Sequence, residues 1–197
     1  MSNTVDSGKR RFLTAAASVV GGAGAAAVAV PFVTSMLPSA KAQAAGAPVE
    51  VDISKLEIGQ LVTVEWRGKP VWILNRSEES LGFLPELDTD LADPASNMDQ
   101  QPAYCKNESR SIRENIIVLV GICTHLGCSP TYRPELSPAD LGPQWKGGFF
   151  CPCHGSRYDL SGRVYKNMPA PKNLVVPPYH FLGDNRIVVG QDAEGAA

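Results

Sequence analysis

From Phe12 to Ala40 the chain carries no charged side chain, and this run decides how the rest can be organised. It exceeds the ~20 apolar residues that take a helix across a bilayer. It is apolar on all sides, so a helix built from it has no polar face to turn to water. Lys9, Arg10 and Arg11 stand directly before it and only Lys41 close beyond it, so the positive-inside rule keeps the N-terminus cytoplasmic and exports the rest. The expectation is a cytoplasmic segment over 1–11 and one transmembrane helix over 12–37. Gly21, Gly22 and Gly24 offer small faces on which another membrane helix could pack, and Pro31 permits a kink. Ala40-Lys41-Ala42 and Ala42-Gln43-Ala44 both look like cleavage sites of an export signal. The apolar run is, however, longer than the about 7–15 residues of a signal core, which favours an anchor that is kept.

Residues 38–48, PSAKAQAAGAP, are small and weakly charged and read as a flexible linker. Residues 49–197 then form the head. A chain of 197 residues with 44% hydrophobic and 19% charged content holds one compact domain plus an appendage. A net charge of −2 leaves no basic face for a nucleic acid. Sixteen prolines and eighteen glycines supply the many turns of a small all-β domain. Leu61–Trp66 alternates, with Val62, Val64 and Trp66 on one face, and Arg67-Gly68-Lys69 turns it into Pro70–Leu74 as a hairpin. A short helix is expected within Ser77–Leu87. Asp88–Arg113 shows no apolar periodicity and reads as a long surface excursion between two strands. Ile116–Ile122 is an apolar β-rich run. A polar connection follows Pro130, then a short strand at Phe149-Phe150, a hairpin pairing Arg157-Tyr158 with Arg163–Tyr165, and strands at Leu174–Val176, near Tyr179–Phe181 and over Arg186–Gly190.

Two loops, Cys123-Thr124-His125-Leu126-Gly127-Cys128 and Cys151-Pro152-Cys153-His154-Gly155-Ser156, hold four of the five cysteines and two of the three histidines. Such clustering points to a cofactor site. Soft thiolates and imidazoles, one Cys-His pair from each loop, suit a two-iron, two-sulfur cluster in which His replaces Cys on one iron. The same donors at short spacing also describe zinc modules, and Cys-Pro-Cys-His alone could be half of a redox motif. Cys105 lies apart and reads as a buried, inert thiol, and His180 as structural.

CTHLGC followed by CPCHGSRYD resembles the Rieske iron-sulfur proteins, and the second Cys in each loop resembles the quinol-oxidising, cytochrome bc type. The resemblance implies an antiparallel β-sandwich head with a cluster-binding subdomain, its cluster loops at 123–130 and 151–158, preceded by one membrane helix. It implies one [2Fe-2S] cluster with Cys123 and Cys151 on one iron, His125 and His154 on the other, and a Cys128–Cys153 disulfide, which places the head in an oxidising compartment, the periplasm of a bacterial cell. It also implies that the hydroxyls of Ser156 and Tyr158 point at a bridging sulfide and at Cys123. Exchanging two thiolates for two neutral imidazoles raises the potential into a range of about −150 to +300 mV, against about −400 mV for plant-type ferredoxins. Lys9-Arg10-Arg11-Phe12-Leu13 resembles a twin-arginine export signal, though no register gives two Arg and the spacer before Phe12 together. Met168-Pro169-Ala170-Pro171 resembles the family's proline loop, with Met168 where Gly is expected.

What the resemblance implies about activity is a subunit of a bacterial ubiquinol:cytochrome c oxidoreductase. It would take one electron from ubiquinol, with the proton going to His154 or His125, and pass it to a c-type cytochrome subunit. Its partners would be a cytochrome b subunit, the c-type cytochrome and ubiquinol, with Leu126 as an exposed docking tip and the linker as the hinge of a moving head. Two alternatives stand beside it: another exported Rieske enzyme subunit, for example arsenite oxidase-like, and a disulfide-stapled structural zinc module.

Overall fold

The computed structural model describes residues 6–193. It separates into two units, 1–44 and 45–197. In the first, α1 (Ser7–Thr34) starts at Asp6, whose side chain accepts from the N–H groups of Gly8 and Lys9, an N-cap that satisfies otherwise orphaned donors. The hydroxyls of Thr14, Thr34 and Ser35 donate to carbonyls within three or four residues, so the helix satisfies its own polar groups, as a helix in hydrocarbon must. It is the one helix among the described residues long and apolar enough to cross a membrane. It begins five residues before the expected span and ends three before it. Ala40–Ala45 forms the short helix α2, so the stretch read as linker is partly helical.

The head is antiparallel β throughout, in three three-stranded sheets. β1 (Val49–Asp52), β9 (Arg186–Val189) and β8 (Tyr179–Phe181) make the first, in the order β1-β9-β8. β2 (Leu61–Trp66), β3 (Lys69–Asn75) and β4 (Ile116–Val120) make the second. β5 (Thr131–Leu136), β6 (Lys146–Phe150) and β7 (Arg157–Tyr158) make the third. Trp66 pairs with Lys69 across Arg67 and Gly68, whose φ angles are 53° and 69°. Positive φ at both central residues is the type I′ turn whose twist matches the strands it joins. All five residues of β4 are buried, and its outer edge is covered where the Val120 N–H donates to the Val175 carbonyl. Trp72 of β3 stacks on Phe149 of β6, centroids 4.9 Å apart, which locks the third sheet onto the second.

Four features depart from the expectations. β5 lies where a polar connection was expected: Pro134 hid it, and Pro134 sits in a bulge opposite Gly147, a place where a missing N–H costs no ladder bond. β1 was not foreseen. Leu174–Val176 is extended but belongs to no sheet, because its backbone bonds go to Gly162, Val120 and Gln100 in turn. The short helix α3 (Glu78–Gly82) lies where it was expected, but the excursion over 88–113 that follows it is not confined to the surface. Leu91, Asp93, Ser96, Cys105, Arg110 and Ser111 are buried.

Candidate metal centre

The third sheet explains why the two loops meet. Thr131, the first residue of β5, pairs with Phe150, the last of β6, and Phe150 pairs with Arg157, the first of β7. The end of the first loop and both ends of the second therefore leave one end of one sheet. Each loop then closes on itself in the same way. The Cys123 N–H donates to the Cys128 carbonyl at 2.7 Å and the Gly127 N–H to the Cys123 carbonyl at 3.1 Å. In the second loop the Cys151 N–H donates to the Ser156 carbonyl at 2.8 Å and the Gly155 N–H to the Cys151 carbonyl at 2.9 Å. Gly127 and Gly155 turn the chain with φ of 86° and 78°, in the left-handed region that favours glycine. Both lie four residues after the first Cys, a shared spacing that could have flagged them in the sequence.

With the loops matched this way, the histidines fall at different positions. His125 is two residues after its leading Cys and His154 three. The rings nevertheless come together edge to face, centroids 4.7 Å apart. Cys128 and Cys153 form a disulfide with Cα atoms 6.7 Å apart. Cys123 and Cys151 are free and buried.

The donors fit an iron-sulfur cluster. The sulfurs of Cys128, Cys151 and Cys153 lie within 4.8 Å of one another, but two of them are joined to each other and cannot serve as thiolates. The thiol pair left to ligate is Cys123 with Cys151. Burial, with the neighbouring Cys123 sulfur adding to it, pushes the Cys151 thiol above its usual range, so ligation there replaces a proton. Nδ1 of His125 is buried and has no hydrogen-bond partner among the described residues, a costly state for a nitrogen that nothing ligates. His154 is exposed and His125 half-buried.

The groups around these donors are tightly held. Tyr158 is fully buried, and its oxygen lies 3.2 Å from Cys123 Sγ and accepts from the Thr124 N–H at 3.2 Å. Burial and the Cys123 sulfur raise the Tyr158 pKa above the usual phenol range, so it keeps its proton. Thr124 Oγ1, also 3.2 Å from that oxygen, donates to the Lys172 carbonyl at 2.6 Å. Ser156 is fully buried and its Oγ accepts from the Ala170 N–H at 3.1 Å, which leaves its own proton to give. The left-handed conformation before the proline loop falls on Asn167, φ 59°, rather than on Met168, so a side chain at Met168 meets no backbone strain. Leu126 is 71% exposed at the tip of the first loop. His180, away from the loops, sits in β8 with Nδ1 3.1 Å from the Gln191 carbonyl. Thr124 was missed in the sequence because its partners lie far along the chain.

The family model described as Rieske [2Fe-2S] domain matches residues 48–180, and one described as Ubiquitinol-cytochrome C reductase Fe-S subunit TAT signal matches residues 1–39. The ubiquinol-cytochrome c reductase iron-sulfur subunit of Allochromatium vinosum is 61% identical over 95% of this chain and 91% of its own length. That of Blastochloris viridis is 44% identical over 96% of both. A solved structure described as hyperthermophilic respiratory Complex III matches 89% of this chain and 99% of its own, with a TM-score of 0.50 and 25% identity. The paired loops, the sheets that present them and these matches agree: the chain belongs to the Rieske [2Fe-2S] proteins, in the family of ubiquinol-cytochrome c reductase iron-sulfur subunits.

Proposed function

We propose that Cys123 and Cys151 hold one iron of the [2Fe-2S] cluster and His125 and His154 the other. The head then carries single electrons from ubiquinol, bound at a cytochrome b subunit, to a c-type cytochrome subunit, as a component of an oxidoreductase. The observation that carries this reading is the convergence of two unpaired buried thiols and two touching imidazoles at one end of one sheet. When bound, the cluster supplies a one-electron acceptor and donor at raised potential.

The side chains supply the rest. The exposed ring of His154 offers its outer nitrogen to the hydroxyl of a quinol arriving from solvent and takes its proton. His125 is the alternative, though it lies deeper. Leu126 gives the docking surface an apolar tip. With the cluster bound, Ser156, whose oxygen already accepts from Ala170, would donate a hydrogen bond to it, and Tyr158 donates a hydrogen bond to the Cys123 sulfur while keeping its proton. Both stabilise added negative charge and raise the potential. The Cys128–Cys153 bond holds the loops together. α1 anchors the chain in the membrane, the head stands on the periplasmic side after twin-arginine export, and the segment over 38–48 gives the head its reach between partners.

The test is EPR of reduced membranes with and without a quinol-site inhibitor. The expected result is a mixed nitrogen-sulfur [2Fe-2S] signal that the inhibitor changes. All-sulfur ligation, absence of iron, or a signal indifferent to the inhibitor would overturn the reading.

A further inference from the structure

From Ala170 to Val176 the chain runs as a strap past both cluster loops, bonded at almost every residue to a different part of the head. The Ala170 N–H donates to Ser156 Oγ of the second loop, and the Lys172 carbonyl accepts from Thr124 Oγ1 of the first. Asn173 comes next. It is 1% exposed; its Oδ1 accepts from the Val164 N–H at 2.9 Å and its Nδ2 donates to the Asp93 carbonyl at 3.0 Å. The turn that presents this carbonyl is fixed in turn, because the Asp93 carboxylate accepts from the N–H groups of Asn97 and Met98. Arg110, fully buried, donates to the carbonyls of Leu174 and Ser161 and to Gln101 Oε1. The excursion between β3 and β4 thus grips the strap from behind, while the strap grips the loops in front.

We propose that Asn173 is a positioning residue for the cofactor site: anchored to the excursion at Asp93, it holds the Ala170 N–H against Ser156 and so fixes how that hydroxyl is aimed. The inference rests on the reading of Ser156 as a donor to the cluster. Pro169 and Pro171 flank Ala170, and their fixed φ leaves little slack in which a displacement of Asn173 could be absorbed. An N–H donated to a hydroxyl oxygen polarises that hydroxyl and strengthens the bond it gives. Losing the anchor therefore weakens Ser156 as a donor without touching it. The carboxamide suits the task because it must accept and donate at once, to two backbone groups on different segments.

The experiment is a redox titration of the cluster, followed by EPR, in membranes carrying the full-length chain in its complex. Asn173→Ala is expected to lower the midpoint potential, in the same direction as Ser156→Ala and by less, and to add little when combined with Ser156→Ala. A merely structural Asn173 would lower thermal stability and leave the potential where it was. That result, or a full additive fall in the double variant, overturns the proposal. If Asn173→Ala yields no assembled protein, Gln101→Ala decides instead, since Gln101 is half-buried and acts on the strap through Arg110 and through the 96–98 turn that presents Asp93 to Asn173. A smaller fall of the same sign supports the proposal and an unmoved potential overturns it. A potential unmoved by Ser156→Ala removes the donor role of Ser156 and this inference with it. A fall in Ser156→Ala with none in Asn173→Ala removes this inference alone.

Discussion

The phenol oxygen of Tyr158 stands 3.2 Å from the sulfur of Cys123, held there by a ring fully buried on the short strand β7. Tyr158→Phe keeps the ring and removes the donor. The expected outcome is an assembled cluster whose midpoint potential falls by ~40 mV, taking the bond as worth about 1 kcal/mol more to the reduced state. Redox titration of the variant beside the parent checks it.

Cys128→Ser leaves both loops with their own backbone closures but removes the covalent tie between them. The crosslink spans a sequence separation of 25, for which the loop-entropy relation gives about 3–4 kcal/mol. Thermal denaturation followed by visible circular dichroism is expected to show cluster loss well below the parent's transition. The parent treated with a strong reductant should follow the variant.

Gly148 lies in β6 at φ 153°, and a Cβ there would run into the Tyr158 carbonyl and meet Asp159 Cα at 3.0 Å. Gly148→Ala therefore pushes β7 off β6 and takes Tyr158 away from Cys123. A cost of about 3 kcal/mol or more is expected, with a fall in iron bound per chain. Gly59→Ala, at a left-handed glycine with open space around it, is the matching control and should retain its iron.

Cys105 carries a prediction for alkaline pH. Its thiol is buried beneath Tyr179, Sγ 3.8 Å from the phenol oxygen, and burial raises its pKa from 9.0 to about 11. Between those values the unfolded chain has released a proton that the folded head still holds. Stability is therefore complete below about pH 9 and falls as pH rises toward about 11. Cys105→Ala is expected to flatten that part of the stability-against-pH curve, measured by urea denaturation from pH 8 to 11.

The two Cys-His loops were legible in the sequence because their residue types are scarce and their spacing short. The β2–β3 hairpin was legible for a different reason: its alternation and its Arg67-Gly68 turn are local signals. What stayed hidden depends on distant partners. Arg110 sits in a segment without apolar rhythm, and its burial makes sense only once the carbonyls of Ser161 and Leu174 are beside it. Leu174–Val176 carries strand-forming residues, yet its hydrogen bonds are shared among three segments. β5 was masked by Pro134, a residue that disfavours ladders in general and is harmless in a bulge.

Because each cluster loop is shut by its own pair of main-chain bonds, the two behave as finished jaws rather than as slack ribbon. The sulfur-sulfur link then has one task, to fix the gap between two rigid pieces. Cutting it would let the jaws part while each kept its own main-chain closure.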